Sequence, residues 1–151
     1  MVIIALFIAC ILQACVRESM RLRPVALGIP RITQVDMVLS GYHIPAGTTC
    51  IRTSVTALDE AYFHQADQFV PERWLRNSKD YKRVDPFTNL PFGHGARSCI
   101  GRRFANLEMY MATMKIVRKY RLEYHHQPAE MDYSTVGKLE RDVKIRFIPR
   151  D

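Results

Sequence analysis

The stretch Phe92-Gly93-His94-Gly95-Ala96-Arg97-Ser98-Cys99-Ile100-Gly101 decides the reading of this chain. It sets a single cysteine at the end of a glycine-rich loop, directly before a run from Arg102 to Tyr120 that contains neither Gly nor Pro. Exposed amides and the positive end of a helix both favour a thiolate over a thiol. Glycines let backbone approach a flat group closely. Arg97, two residues before Cys99, is placed to pair with a carboxylate of such a group. The plainer alternative is that Cys99 is a small buried hydrophobe, as most lone cysteines are.

Outward from this loop, Phe104, Leu107, Met111 and Met114 recur at spacings of three, four and three, which predicts a long core helix over Gly101 to Tyr120. Its methionines read as packing rather than as thioether metal ligands. Upstream, Asn77 to Phe92 is a polar loop with Pro86 and Pro91, of a length that commonly wraps a ligand. Asp59 to Asp67 reads as a short helix or turn with Leu58, Tyr62 and Phe63 facing inward, ended by Phe69-Val70-Pro71. Segments around Val35 to Leu39 and Thr48 to Val55, separated by Ser40-Gly41 and Pro45-Ala46-Gly47, predict a small β-meander. Val2 to Leu22 lacks Gly and Pro and predicts one buried helix stopped by Pro24. The tail carries an alternating strand, Val143 to Phe147, bounded by Pro149.

Composition excludes several classes. With 48% hydrophobic and 25% charged residues among 151, the chain is neither disordered nor fibrous. Its net charge of +7 comes from basic residues spread along the chain, which reads as a solvated positive surface. No nucleic-acid recognition motif accompanies that charge. Cys10, Cys15, Cys50 and Cys99 form no CxxC pair, so neither a zinc site nor a disulfide framework is indicated. The apolar run Val2 to Leu12 is about half of the roughly 20 residues a spanning helix needs, and no basic residue precedes it as in a secretory signal. Leu12-Gln13-Ala14-Cys15 imitates a lipoprotein cleavage site, but a helix continuing into Glu18 and Arg21 fits better.

The Phe92 to Gly101 string resembles the haem-thiolate signature of the cytochromes P450, in which Phe, two Gly, Arg, Cys and Gly stand at fixed offsets. The resemblance implies a bound haem b, with Cys99 as axial iron ligand and catalytic residue. It also implies Phe92, Gly93 and Gly101 around the ligand loop and Arg97 on a haem propionate. Glu18-Ser19-Met20-Arg21 matches the family's Glu-x-x-Arg, completed by Arg73 of Pro71-Glu72-Arg73-Trp74. Glu18, Arg21 and Arg73 are thereby expected to form a structural triad rather than a catalytic one. Arg31 falls where the family often has a second propionate-binding Arg. Arg102 and Arg103, with Arg17, resemble the mitochondrial branch, where basic residues here receive an acidic iron–sulfur ferredoxin; a flavoprotein reductase is the alternative partner.

The implied fold is mainly α with a small β-meander, the C-terminal, proximal portion of the cytochrome P450 fold. Residues 1–151 then form a partial domain, with 1–12 an apolar, atypical start and 13–150 family-like. Whole members run to several hundred residues, and no Ala/Gly-Gly-x-Asp/Glu-Thr string of the distal helix occurs here, so a truncated product is expected. The implied activity is haem-dependent monooxygenation of a lipophilic small molecule, with no nucleic-acid partner. The alternative is a non-catalytic haem-binding or interaction remnant of a truncated gene. The resemblance places the full-length parent at the mitochondrial inner membrane, or alternatively the endoplasmic reticulum membrane, with no targeting signal in this chain.

Overall fold

The computed structural model describes residues 2–134 and 136–150, with side chains from residue 7 onward. Two α-helices carry the long elements. Helix α1 spans Val2–Leu22 and α2 spans Arg102–Lys119. Between them lie β1 (Gly28–Ile32), β2 (Met37–Leu39), β3 (Tyr42–Ile44) and β4 (Thr49–Thr53). Single 3-10 turns follow at Val55–Leu58, Pro71–Trp74 and Gly95–Arg97. After α2 come β5 (Tyr120–Glu123), β6 (Met131–Asp132), β7 (Lys138–Leu139) and β8 (Arg146–Pro149). Helix α1 stops where expected, two residues before Pro24, because Pro removes a donor and crowds the preceding turn.

The strands between residues 28 and 53 are nested. Strand β1 pairs antiparallel with β4, from Gly28 opposite Thr53 to Ile32 opposite Thr49, and encloses the β2–β3 hairpin. The hairpin turns on Ser40 and Gly41, both at positive φ, the conformation a two-residue turn between right-twisted strands requires. Thr33 separates the two pairs. Its amide donates to the Thr48 carbonyl and its hydroxyl to the Pro45 carbonyl, while the Gly47 amide returns to Thr33. Those local bonds absorb the groups that would continue the ladder, so the strands form two ribbons in place of consecutive neighbours. The tail strand is displaced from Val143–Phe147 to β8, which pairs with β5. Pro149 lies inside it, tolerated as the end residue of an edge strand.

The core is small and sits where α1 meets the first two 3-10 turns. Ala57, Phe63 and Ala66 are buried together, with Trp74 and Val84 packed on them and Phe63 only 1% exposed. Leu58 and Tyr62 do not join it. Tyr62 and Phe63 both donate to the Asp59 carbonyl in a turn, not a helix, so no shared face forms and Tyr62 stays exposed. In the described part of α1, Ala14 and Val16 are buried, whereas Phe7 and Ile8 face solvent, contrary to a helix buried throughout. Helix α2 departs furthest from a core helix. Phe104 (66% exposed), Leu107, Met111 and Met114 all lie open, although the helix meets α1 and β5 on other sides. Among the described residues no helix is long and apolar enough to cross a membrane.

Candidate functional site

The Cys99 loop is built from turns stacked one after another. Leu90-Pro91-Phe92-Gly93 closes first, the Gly93 amide donating to the Leu90 carbonyl at 3.0 Å, with Pro91 at the position where its fixed φ favours a turn. Gly93 then adopts φ +72°, and a Cβ there would stand 3.3 Å from Ile29 Cδ1. Glycine is favoured by the conformation, and a side chain here would also press on Ile29. Gly95 adopts φ +75° and opens the 3-10 turn Gly95–Arg97, closed by Ser98 donating to Gly95. The Cys99 amide reaches back to the Phe92 carbonyl at 2.8 Å, so the loop is pinned at both ends before α2 begins. His94 meets Phe87 edge-on, with ring centroids 5.0 Å apart.

This pinning leaves the chemistry facing outward. Cys99 and Ile100 are both exposed, the latter fully, and Gly101 is the residue before α2, where a Cβ would lie 3.8 Å from Cys99 Sγ. The sulfur therefore sits within a turn of a helix N-terminus. The Cys99 amide itself donates to the Phe92 carbonyl. Arg97 and Arg31 line one hollow of about 440 Å³ with Pro30, Ile32, Gln34 and Thr49. Two cations from distant parts of the chain thus converge beside the cysteine loop. Arg97 ties that hollow to the cysteine loop, and a soft sulfur on the loop with two guanidinium groups in the hollow suits a group that carries a thiolate-binding iron and two carboxylates.

Arg17, Arg102 and Arg103 are also brought together. They line a hollow of about 710 Å³ with Trp74, Phe92 and Asn106 among its walls, on the side where α1 and α2 meet. All three arginines are exposed.

Glu18, Arg21 and Arg73 form the most buried polar node of the described residues, at 0%, 0% and 5% exposure. Three residues apart on one face of α1, Glu18 and Arg21 pair through two bonds, Arg21 Nη2 to Oε1 at 2.8 Å and Nε to Oε2 at 3.1 Å. Arg73 Nε reaches Oε1 at 3.0 Å. The remaining guanidinium nitrogens reach carbonyls: Arg21 on Ala57, Ala66 and Gln68, Arg73 on His64 and Gln65. Two further donors were not singled out in the sequence. The Trp74 indole reaches Oε2 at 2.8 Å and the Val70 amide reaches Oε1 at 3.0 Å. Trp74 adjoins Arg73 in sequence, a signal that was available. Burial pushes the Glu18 carboxyl up, but the Arg21 hydrogen bonds, the Val70 amide, the Trp74 indole and the Arg21 charge outweigh it and hold the carboxyl below its usual range.

Known proteins resemble this chain in sequence and fold. The family model for Cytochrome P450 matches residues 10–147. Cytochrome P450 CYP12A2 of Musca domestica is 40% identical over 147 residues, which cover 90% of this chain and 27% of that protein. The mouse 1,25-dihydroxyvitamin D(3) 24-hydroxylase, mitochondrial, is also 40% identical, over 141 residues covering 92% and 27%. The solved structure of retinoic acid bound cyanobacterial CYP120A1 superposes with a TM-score of 0.83 at 25% identity, over 93% of this chain and 32% of that one. The chain thus spans about a quarter of the length of these curated relatives. A family match from Cys10 to Phe147 takes in both the Glu18 node and the Cys99 loop, and with it the chain belongs to the cytochrome P450 family.

Proposed function

We propose that this chain is the proximal, cofactor-ligating portion of a haem-dependent monooxygenase, with residues 13–150 family-like and Cys99 the thiolate that would hold the haem iron. The observation that carries this reading is the exposure of Cys99 at the end of a pinned loop, beside the hollow that Arg31 and Arg97 share. Haem b held there would supply an iron centre that activates O2, so that one oxygen atom enters an organic substrate. The chain's own residues hold and orient it. Cys99 would donate the sulfur, Arg97 and Arg31 would neutralise the two propionates, Gly93 and Gly101 would keep the backbone close, and Phe92 would pack beside the ligand loop. The Glu18–Arg21–Arg73 node holds α1 against the loops behind this surface and touches no reactant.

The substrate of the parent enzyme is a lipophilic small molecule. Support comes from the relatives, one named for a vitamin D hydroxylation and one solved with retinoic acid. The electron donor is an acidic iron–sulfur ferredoxin received by Arg17, Arg102 and Arg103, whose shared hollow supplies a compact positive surface. A relative named mitochondrial supports a mitochondrial parent.

The test is the optical spectrum of the purified chain with added haem, reduced under carbon monoxide, beside Cys99→Ala. A red-shifted Soret band of the thiolate type, lost in the substituted chain, is expected. No such band, or one that survives without Cys99, overturns the assignment.

A further inference from the structure

The β1–β4 ribbon touches the Cys99 loop at two neighbouring points. Ile29 and Arg52 are directly opposed across the antiparallel pair, so their side chains leave the same face. Ile29 Cδ1 closes the space over Gly93. Arg52 Nη2 donates to the Leu90 carbonyl at 3.0 Å, the same oxygen that accepts the Gly93 amide. That carbonyl therefore closes the turn and receives a cation from another strand. The next carbonyl but one, on Phe92, accepts the Cys99 amide. Two hydrogen-bonded links thus connect Arg52 to Cys99.

Arg52 has no other evident reason to be where it is. Among the described residues no carboxylate pairs with it, and its Nε is buried without a partner. Half-burying a guanidinium with an idle donor is unfavourable unless its one good bond matters, and a charge-assisted bond to a carbonyl is stronger than a neutral one. Thr56 makes a parallel tie, its hydroxyl donating to the Thr88 carbonyl at 3.0 Å, but that bond lies further from the turn.

We propose that Arg52 is a positioning residue, whose bond to the Leu90 carbonyl sets the turn from which the Cys99 loop hangs and so keeps the sulfur in place. The consequence for haem ligation rests on the reading of Cys99 as the axial thiolate. The hydrogen-bonding role does not.

The experiment follows amide hydrogen exchange in the whole chain and the reduced, carbon monoxide-bound spectrum of the same chain with haem, for Arg52→Met and Arg52→Lys. In Arg52→Met the Gly93 and Cys99 amides exchange faster by about tenfold, as for loss of one charge-assisted bond, while the β5 amides keep their rates. In the same variant part of the thiolate-type band moves to the position of a neutral axial ligand. Arg52→Lys, which keeps a charge and a donor, restores most of both. Loop amides within twofold of the original chain, equal acceleration in β5, or a Lys variant no better than Met would each overturn the proposal. If Arg52→Met loses its helical circular dichroism, Arg52→Leu takes its place under the same criteria. An unsubstituted chain without a thiolate band sinks the Cys99 reading alone, and the exchange rates then decide the role of Arg52.

Discussion

Around Glu18 the structure closes every polar account inward, and around Cys99 it turns the chemistry outward. Glu18 accepts bonds from Arg21, Arg73, Trp74 and the Val70 amide, all on a carboxylate with no exposed surface. Cys99, by contrast, is held through its backbone while its sulfur faces solvent. The first arrangement is one that a chain completes by itself. The second is hydrogen-bonded in backbone and open in side chain, the arrangement on which the proposed ligand role rests.

The comparison breaks most readily at Glu18. Glu18→Gln leaves two buried guanidinium groups without a counter-charge and should cost about 3–5 kcal/mol in urea unfolding of the haem-free chain. A loss below about 1 kcal/mol would show that the node is less dry than its geometry. The same carboxylate gives the node a pH dependence. Its folded pKa lies below its unfolded one, so its contribution is fully present above the ordinary Glu range and is lost as pH falls through the lowered value. Stability measured from pH 6 to pH 2 should therefore fall most steeply below the usual Glu pKa of about 4.3.

An intermediate effect belongs to the backbone of the loop. Gly93→Ala forces a side chain to φ +72° and presses Ile29, and it should cost about 1–2 kcal/mol by the same measurement. If the cost is negligible, the loop is not pinned as described. The smallest effect on stability belongs to the residue with the largest proposed role. Cys99→Ala should change haem-free stability by less than about 0.5 kcal/mol, since the side chain is exposed and its backbone bonds persist. A larger loss would make Cys99 a packing residue and erase the contrast with Glu18.

Local chemistry made much of this legible in advance. The stop of α1 before Pro24, the course of α2 and the glycine loop that ends in Cys99 all follow from backbone sterics over a few residues. Helical spacing puts Glu18 and Arg21 on one face, and resemblance to a family was what joined them with Arg73. The sites that local pattern could not reveal are those closed across long stretches of chain. The Val70 amide meets Glu18 across 52 residues, and Arg52 meets Leu90 across 38.

The α2 face shows the limit most clearly. Periodicity identified Phe104, Leu107, Met111 and Met114 as one apolar stripe, yet it could not say whether anything in this chain would cover them, and nothing among the described residues does. The sequence by itself determined which residues share a face, a turn or a helix end, because those relations are set by φ, ψ and the side chains next door. Only the tertiary structure decided which faces are buried and which donors meet which acceptors. Such pairings depend on closing loops of tens of residues, where entropy and packing choose among partners that local sequence leaves equivalent.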